Sequence, residues 1–152
     1  MRIVVQRVSE AAVSVAGKVV GQIGPGPGLL LLAGFEEADK PEDLEWMVRK
    51  VISLRIFPDD KGTMTLSVTD VGGRILAVSQ FTLYASLKKG SRPSWSRAAR
   101  GEISQPLFER YVELLSGALG HSVQTGIFGA DMQVRLINDG PVTVAIDSRN
   151  PE

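Results

Sequence analysis

Three stretches of this 152-residue chain carry residue types and spacings that could do chemistry. The first runs from Ile75 to Ala85, an apolar and aromatic segment interrupted by Ser79, Gln80 and Thr82. A buried polar group without a hydrogen-bond partner costs ~1–3 kcal/mol. These three side chains therefore either bond to neighbouring backbone, as most buried Ser and Thr do, or serve a site. The second stretch, Ser86 to Arg100, holds Lys88, Lys89, Arg92, Arg97 and Arg100 with no acid between them and Trp95 embedded. Such a loop is either a solvated surface or an RNA contact, in which cations neutralise phosphates and an aromatic ring stacks an unpaired base. The third is Asn138-Asp-Gly-Pro-Val-Thr143. Read alone it is a hairpin turn, and its Gly-Pro step is a reasonable host for a cis peptide.

Other chemistries are poorly supplied. There is no cysteine, which removes disulfides, thiolate metal sites and a Cys nucleophile. The single histidine, His121, follows a helix and nearly excludes a Ser-His-Asp arrangement. Gly24-Pro-Gly-Pro-Gly28 has no following Lys-Ser/Thr, and its prolines remove amides that a phosphate would need, so it reads as a turn. Asp59 and Asp60 lack further oxygen ligands at calcium-loop spacing and read as a solvated hairpin. Formal net charge is zero, so affinity for nucleic acid must be local. Hydrophobic content of 43% with 22% charged residues fits one ordinary globular domain over residues 1–152. The opening Met1 to Arg7 has no signal-peptide core, and the longest apolar run, Leu29 to Ala33, is too short to span a bilayer. The expectation is a cytoplasmic protein without membrane partners.

The elements that must position these groups follow from periodicity. Strands are expected at Arg2–Val8, in Val13–Val20 with a turn at Gly17-Lys18, and at Leu29–Ala33. Arg55–Phe57, Thr65–Thr69, Ser122–Gly126, Gln133–Ile137 and Val142–Ile146 complete the β content, with Ile75–Ala85 as a strand covered on both faces. Helices are expected at Pro41–Leu54, capped by Asp39, and at Gln105–Leu119, capped by Ser104 and stopped by Gly120. Leu44, Met47, Val48, Val51 and Ile52 form the apolar stripe of the first; Trp46 lies off it, partly exposed or against another subunit. Leu107, Tyr111, Leu114, Leu115 and Ala118 mark the buried face of the second.

Taken together, Ser79-Gln-Phe-Thr-Leu-Tyr84 and Asn138-Asp-Gly-Pro-Val-Thr143 resemble the two signature motifs of the D-aminoacyl-tRNA deacylases, also called D-tyrosyl-tRNA deacylases. The resemblance extends over the whole chain through Met1–Val8, Lys88–Ser94 and Thr125–Ala130. Leu87 and Trp95 depart from it, standing where a polar residue and Phe are expected.

The resemblance implies a homodimeric α+β fold of mixed, mainly antiparallel sheets packed with two main helices. It implies hydrolysis of the ester that joins an amino acid to the terminal ribose of tRNA. Gly140-Pro141 is then a cis peptide inserted from one subunit into the active site of the other. Its main-chain carbonyls would fix the substrate ammonium, so that a D side chain meets open space and an L side chain meets backbone. Glycine would be hard to reject on this scheme. Ser79, Gln80, Phe81 and Thr82 form the implied catalytic stretch. Thr82 is the tempting nucleophile but has no activating neighbour in sequence. The favoured route is attack by water, helped by the substrate 2′-hydroxyl, with amides around Gln80 and Phe81 holding the oxyanion. Phe128, Gly129, Ala130 and Met132 would border the adenine pocket, and Lys88, Lys89 and Arg92 would contact tRNA. No metal, cofactor or DNA partner is implied. Two rivals remain: a non-catalytic RNA-binding module, and a small-molecule esterase with Thr82 as nucleophile.

Overall fold

A computed structural model describes residues 1–152 as eight strands and two main helices. In chain order these are β1 (Arg2–Val15), β2 (Lys18–Ile23), β3 (Gly28–Gly34), α1 (Pro41–Ser53), β4 (Phe57–Pro58) and β5 (Met64–Leu66). Then come β6 (Arg74–Ser79), a short 3-10 turn (Phe81–Tyr84), α2 (Gly101–Leu119), β7 (Gln124–Thr125) and β8 (Gln133–Asp147). The architecture is α+β, with a mixed, mainly antiparallel sheet.

β1 is one long strand where two had been expected. Its first half pairs antiparallel with β3, from Arg2↔Gly34 to Val8↔Gly28, and its second half with β2, from Ala11↔Ile23 to Val15↔Lys18. The turn between β1 and β2 falls at Ala16-Gly17, with φ of 50° and 79°. β6 and β7 extend the sheet with parallel pairing on the far side of β3. The sheet then rolls towards closure: a side chain at Gly21 of β2 would collide with the Thr125 carbonyl of β7.

Alternation along these strands feeds two separate cores. Ile3, Val5, Leu29, Leu31, Ala33, Ile75 and Ala77 face the helices. Val8, Ala11, Val13, Leu30, Leu76 and Val78 lie in the second core, against Met132 and Val134. The α1 stripe is buried at Leu44, Met47, Val48 and Val51. On α2 the buried positions are Ser104, Phe108, Tyr111, Leu115 and Leu119, so the stripe is rotated from the expected one and Ala118 is exposed. The helix begins at Gly101, and Ser104 lies inside it, donating its hydroxyl to the Arg100 carbonyl at 3.0 Å rather than capping. Asp39 does not cap α1 either. Its carboxylate accepts from the Met1 ammonium at 2.5 Å and from the Glu36 amide at 2.9 Å, while Asp43 accepts from the Lys40 amide at 2.9 Å.

The third chemical stretch is not a hairpin. Asn138 to Thr143 lies inside β8, whose two halves run along the same edge of β1. Pairing passes from Gln6↔Thr143 to Val8↔Asn138, so Asp139 to Val142 bulge out opposite Arg7 alone. The β4–β5 hairpin is shorter than expected because the Ser67 amide and hydroxyl both donate to Asp70 and turn the chain. No helix is long and apolar enough to cross a membrane.

Both ends of the chain are drawn into one ionic cluster. The Met1 ammonium and Asp39 form a fully buried pair, Arg2 pairs with Asp147 at 2.8 Å, and Arg149 pairs with Glu36 at 2.8 Å. Removing one partner of a buried pair leaves a charge without compensation, at a cost of about 3–5 kcal/mol. Asp39→Ala is therefore expected to lower unfolding stability by about 3 kcal/mol, measured by urea titration. Asp147 is held below the usual carboxylate range: burial pushes it up, but donation from the Arg149 amide and the Arg2 side chain outweighs that. A carboxylate depressed in the fold stabilises above its unfolded pKa of about 3.9, and the contribution is lost as pH falls through the folded value. Asp147→Asn should thus melt below wild type at pH 7, and the gap between the two melting temperatures should narrow as pH falls from the unfolded towards the folded pKa of Asp147.

Candidate active site

β3 and β6 run parallel and end side by side, at Gly34 and Ser79. A cavity of about 350 Å³ opens there, lined by Ala33 to Phe35, Val78 to Phe81, Gly101 and Ser104 of α2, and Phe128 to Met132. The carboxyl ends of parallel strands are where the backbone leaves the sheet and side chains of several segments can converge.

The segment expected as one strand from Ile75 to Ala85 changes character at this point. The Gln80 amide donates to the Ala33 carbonyl at 2.7 Å and completes the β3 pairing, and the Leu83 amide then donates back to the Gln80 carbonyl at 3.3 Å. The chain coils into the 3-10 turn, so strand alternation stops at Ser79. Phe81 is 54% exposed and Tyr84 is buried. The coil packs tightly on β3: a Cβ at Gly34 would stand 2.7 Å from the Gln80 carbonyl oxygen. From the other side, Arg2 donates to the Leu83 carbonyl at 3.1 Å. The Arg2 and Arg97 guanidinium groups lie 4.7 and 5.5 Å from the centre of the Tyr84 ring. Burial first, and then the carboxylates of Asp39, Glu36 and Asp147, push the Tyr84 hydroxyl far up, so it stays protonated and cannot act as a base.

Ser79, Gln80 and Phe81 line the cavity, and Thr82 does not. The Thr82 hydroxyl instead accepts from the Gln80 side-chain amide at 2.5 Å. No basic side chain is hydrogen-bonded to Thr82, and His121 is exposed beyond the end of α2. The arrangement fits a Thr82 that orients Gln80 better than a Thr82 that attacks. One expected oxyanion donor must be revised. The Gln80 N–H is already committed to Ala33, whereas the Phe81 and Thr82 amides open the 3-10 turn and have no acceptor within it.

The segment expected to border an adenine also reaches the cavity. Phe128, Gly129, Ala130 and Met132 all line it, with Asp131 between them. Phe128 is seated against Phe108 of α2, with ring centres 6.2 Å apart. Lys88, Lys89 and Arg92 lie outside the cavity on an exposed loop and form no ion pair with a carboxylate. That loop is closed at its base by reciprocal Ser86–Ser94 amide-to-carbonyl bonds, both 2.9 Å. No three His, Cys, Asp or Glu side chains gather to form a metal set.

Gly140 and Pro141 are not in the cavity of their own chain. Their peptide bond is cis, as is Gly24-Pro25. The bulge that carries them is held by two residues that sequence reasoning passed over, Gln6 and Arg7. Gln6 donates to Asn138 and, at 3.2 Å, to the Val142 carbonyl, and accepts from the Thr143 hydroxyl at 2.6 Å. Arg7 donates to the Asp139 carbonyl at 2.9 Å and to the Ile56 carbonyl at 2.5 Å. Two adjacent long polar side chains inside a strand of valines were the available signal.

The chain as a whole is similar to known proteins. A family profile described as D-Tyr-tRNA(Tyr) deacylase matches residues 4–147. The chain is 66% identical to a protein of Dechloromonas aromatica and 64% identical to one of Chromobacterium violaceum, both named D-aminoacyl-tRNA deacylase, over the full length of each. Among solved structures, it is similar to the c-Myc DNA Unwinding Element Binding Protein, with a TM-score of 0.89, 39% identity, and coverage of 97% of this chain and 98% of that one. A probable eukaryotic D-amino acid tRNA deacylase shares the fold, with a TM-score of 0.78 at 18% identity over 95% and 97% of the two chains. From its full-length relatives and its matching profile, the chain belongs to the D-Tyr-tRNA(Tyr) deacylase family.

Proposed function

We propose that this protein hydrolyses the ester of D-aminoacyl-tRNA, releasing the free D-amino acid and tRNA in the cytoplasm. The observation that carries the proposal is the meeting of Ser79-Gln80-Phe81 with Phe128–Met132 in one cavity that presents no activated side-chain nucleophile. Family membership supports the same reading.

In the proposed reaction, water attacks the ester carbonyl and the substrate 2′-hydroxyl helps to take its proton. The developing oxyanion is held by the Phe81 amide, and the ribose oxygen leaves with a proton. Ser79 and Gln80 position the ester, and Thr82 positions Gln80. The terminal adenine rests against Phe128, Gly129, Ala130 and Met132, while Lys88, Lys89 and Arg92 meet the phosphates behind it. No cofactor takes part.

Chirality is read by a second copy of the chain. The Gly140-Pro141 bulge stands outside its own cavity, and the free edge of β8 exposes Leu136 and Ile137 at 38% and 53%. Both features favour a homodimer in which the bulge enters the partner's cavity and offers carbonyls to the α-ammonium group. An L side chain is then excluded by backbone, and glycyl esters are also accepted because they carry no side chain to exclude. A non-catalytic RNA-binding module is the rival.

The test is hydrolysis of matched D- and L-tyrosyl-tRNA by wild type and by Thr82→Ala. Wild type should cleave the D ester alone. Thr82→Ala should lose about 10- to 100-fold, as expected for a displaced positioning group, and not the roughly 10⁶-fold typical of a missing nucleophile. An inactive variant that still selects D would give Thr82 a direct chemical role. Binding of tRNA by wild type without cleavage of either ester would leave the RNA-binding module.

A further inference from the structure

Phe81 and Trp95 meet on the surface in a way that neither core explains. Phe81 is 54% exposed and Trp95 41% exposed, with ring centres 5.5 Å apart and planes at 76°. The two rings make an open corner, one face and one edge. Phe81 also lines the cavity, so the corner is continuous with its mouth. Trp95 is set immediately after the Ser86–Ser94 bridge, which fixes the base of the loop. Lys88, Lys89 and Arg92 are exposed on the same loop without carboxylate partners, whereas Arg97 is occupied by Glu36 at 3.5 Å.

We propose that the Phe81–Trp95 corner is a stacking platform for the nucleobase immediately 5′ of the terminal adenosine. The inference rests on the reading of the cavity as the seat of that adenosine and its ester. At about 350 Å³ the cavity is at the small end of the ~300–1,000 Å³ usual for ligand sites, a size suited to one nucleoside and its ester, with the rest of the strand outside the mouth. The exposed aromatic corner lies at that mouth, and Trp95 belongs to the loop that carries the cations without carboxylate partners. Aromatic faces bind unpaired bases with little regard to sequence, and nearby Lys and Arg neutralise the connecting phosphates. Charge complementarity thus favours single-stranded RNA as the occupant over a second protein surface.

The experiment compares D-tyrosyl esters of adenosine and of the dinucleotide cytidylyl-adenosine on wild type, Trp95→Ala and Trp95→Phe. Wild type should show a kcat/KM on the order of tenfold higher for the dinucleotide ester, a size set by one stacked base and expressed in KM. Trp95→Ala should bring that ratio close to one, and Trp95→Phe should restore most of it. A ratio unchanged in Trp95→Ala, or an equal fall on both esters, overturns the platform and makes Trp95 a packing residue. Quenching of tryptophan fluorescence by the trinucleotide CpCpA, which carries no amino acid, separates the two readings. If wild type cleaves neither ester, D-tyrosyl-tRNA is the control, and failure on it as well sinks the deacylase reading. Quenching that disappears in Trp95→Phe would still support the platform, and quenching that is absent or unchanged would overturn it.

Discussion

The pairing of β1 with β8, broken opposite Arg7, is the constraint on which the remaining geometry depends. β1 is paired on both edges, by β3 and β2 on one and by β8 on the other. It supplies Ile3 and Val5 to the helix-facing core and, further along, Val8, Ala11 and Val13 to the other, so a one-residue slip would turn these side chains out of their cores. Register is therefore strongly specified, and the extra residues of β8 can only be expelled as a bulge. Gln6 and Arg7 then replace the ladder bonds that the bulge gives up, through side-chain contacts to Asn138, Asp139, Val142 and Thr143. The same strand begins with Arg2, which holds the 3-10 turn by the Leu83 carbonyl and the Tyr84 ring. One strand thus positions both signature segments.

The site is built mainly from backbone. Gly34 lets the Gln80 carbonyl pack against β3, the Gln80 amide is used to end the sheet, and the next amides are left at the start of a turn. Side chains contribute orientation: Thr82 fixes the Gln80 amide group, and Phe108 backs Phe128. A site of this kind needs no unusual side-chain acidity. The one large shift at its edge, on Tyr84, arises chiefly from burial and keeps that hydroxyl protonated. Backbone donors and acceptors are also indifferent to the identity of a substrate side chain, which suits the proposed discrimination by handedness.

Much of this was legible from residue order, and the failures have physical causes. The buried strand at Leu29–Ala33, the α1 stripe and the Gly120 stop follow from local pattern and were found. The break at Ser79 was missed because the apolar run continues through Phe81 and Leu83, and only tertiary contacts with Gly34 and Arg2 convert it to a coil. Asp39 was read as a cap because Asp before Pro41 favours one, but the Met1 ammonium, 38 residues away, competes for it and wins. The hairpin reading of Asn138–Thr143 failed for a similar reason: turn residues were taken as a reversal when β1 accommodates them as a bulge. Gln6 and Arg7 stand out as adjacent polar side chains in a strand of valines, but their role depends on bulge partners 132 residues or more away.

The central claim is that the bulge held by β1 reads the handedness of the substrate. The most direct measurement is the ratio of D- to L-tyrosyl-tRNA hydrolysis by Arg7→Lys, taken beside its melting temperature. Lysine keeps the charge but cannot reach both the Asp139 and Ile56 carbonyls with a planar fork. The account predicts a folded protein whose D/L ratio falls by more than about tenfold, the equivalent of ~1.4 kcal/mol lost from a preorganised contact. A folded variant with its D/L ratio intact would contradict it, and the reading of chirality would have to be sought elsewhere in the cavity.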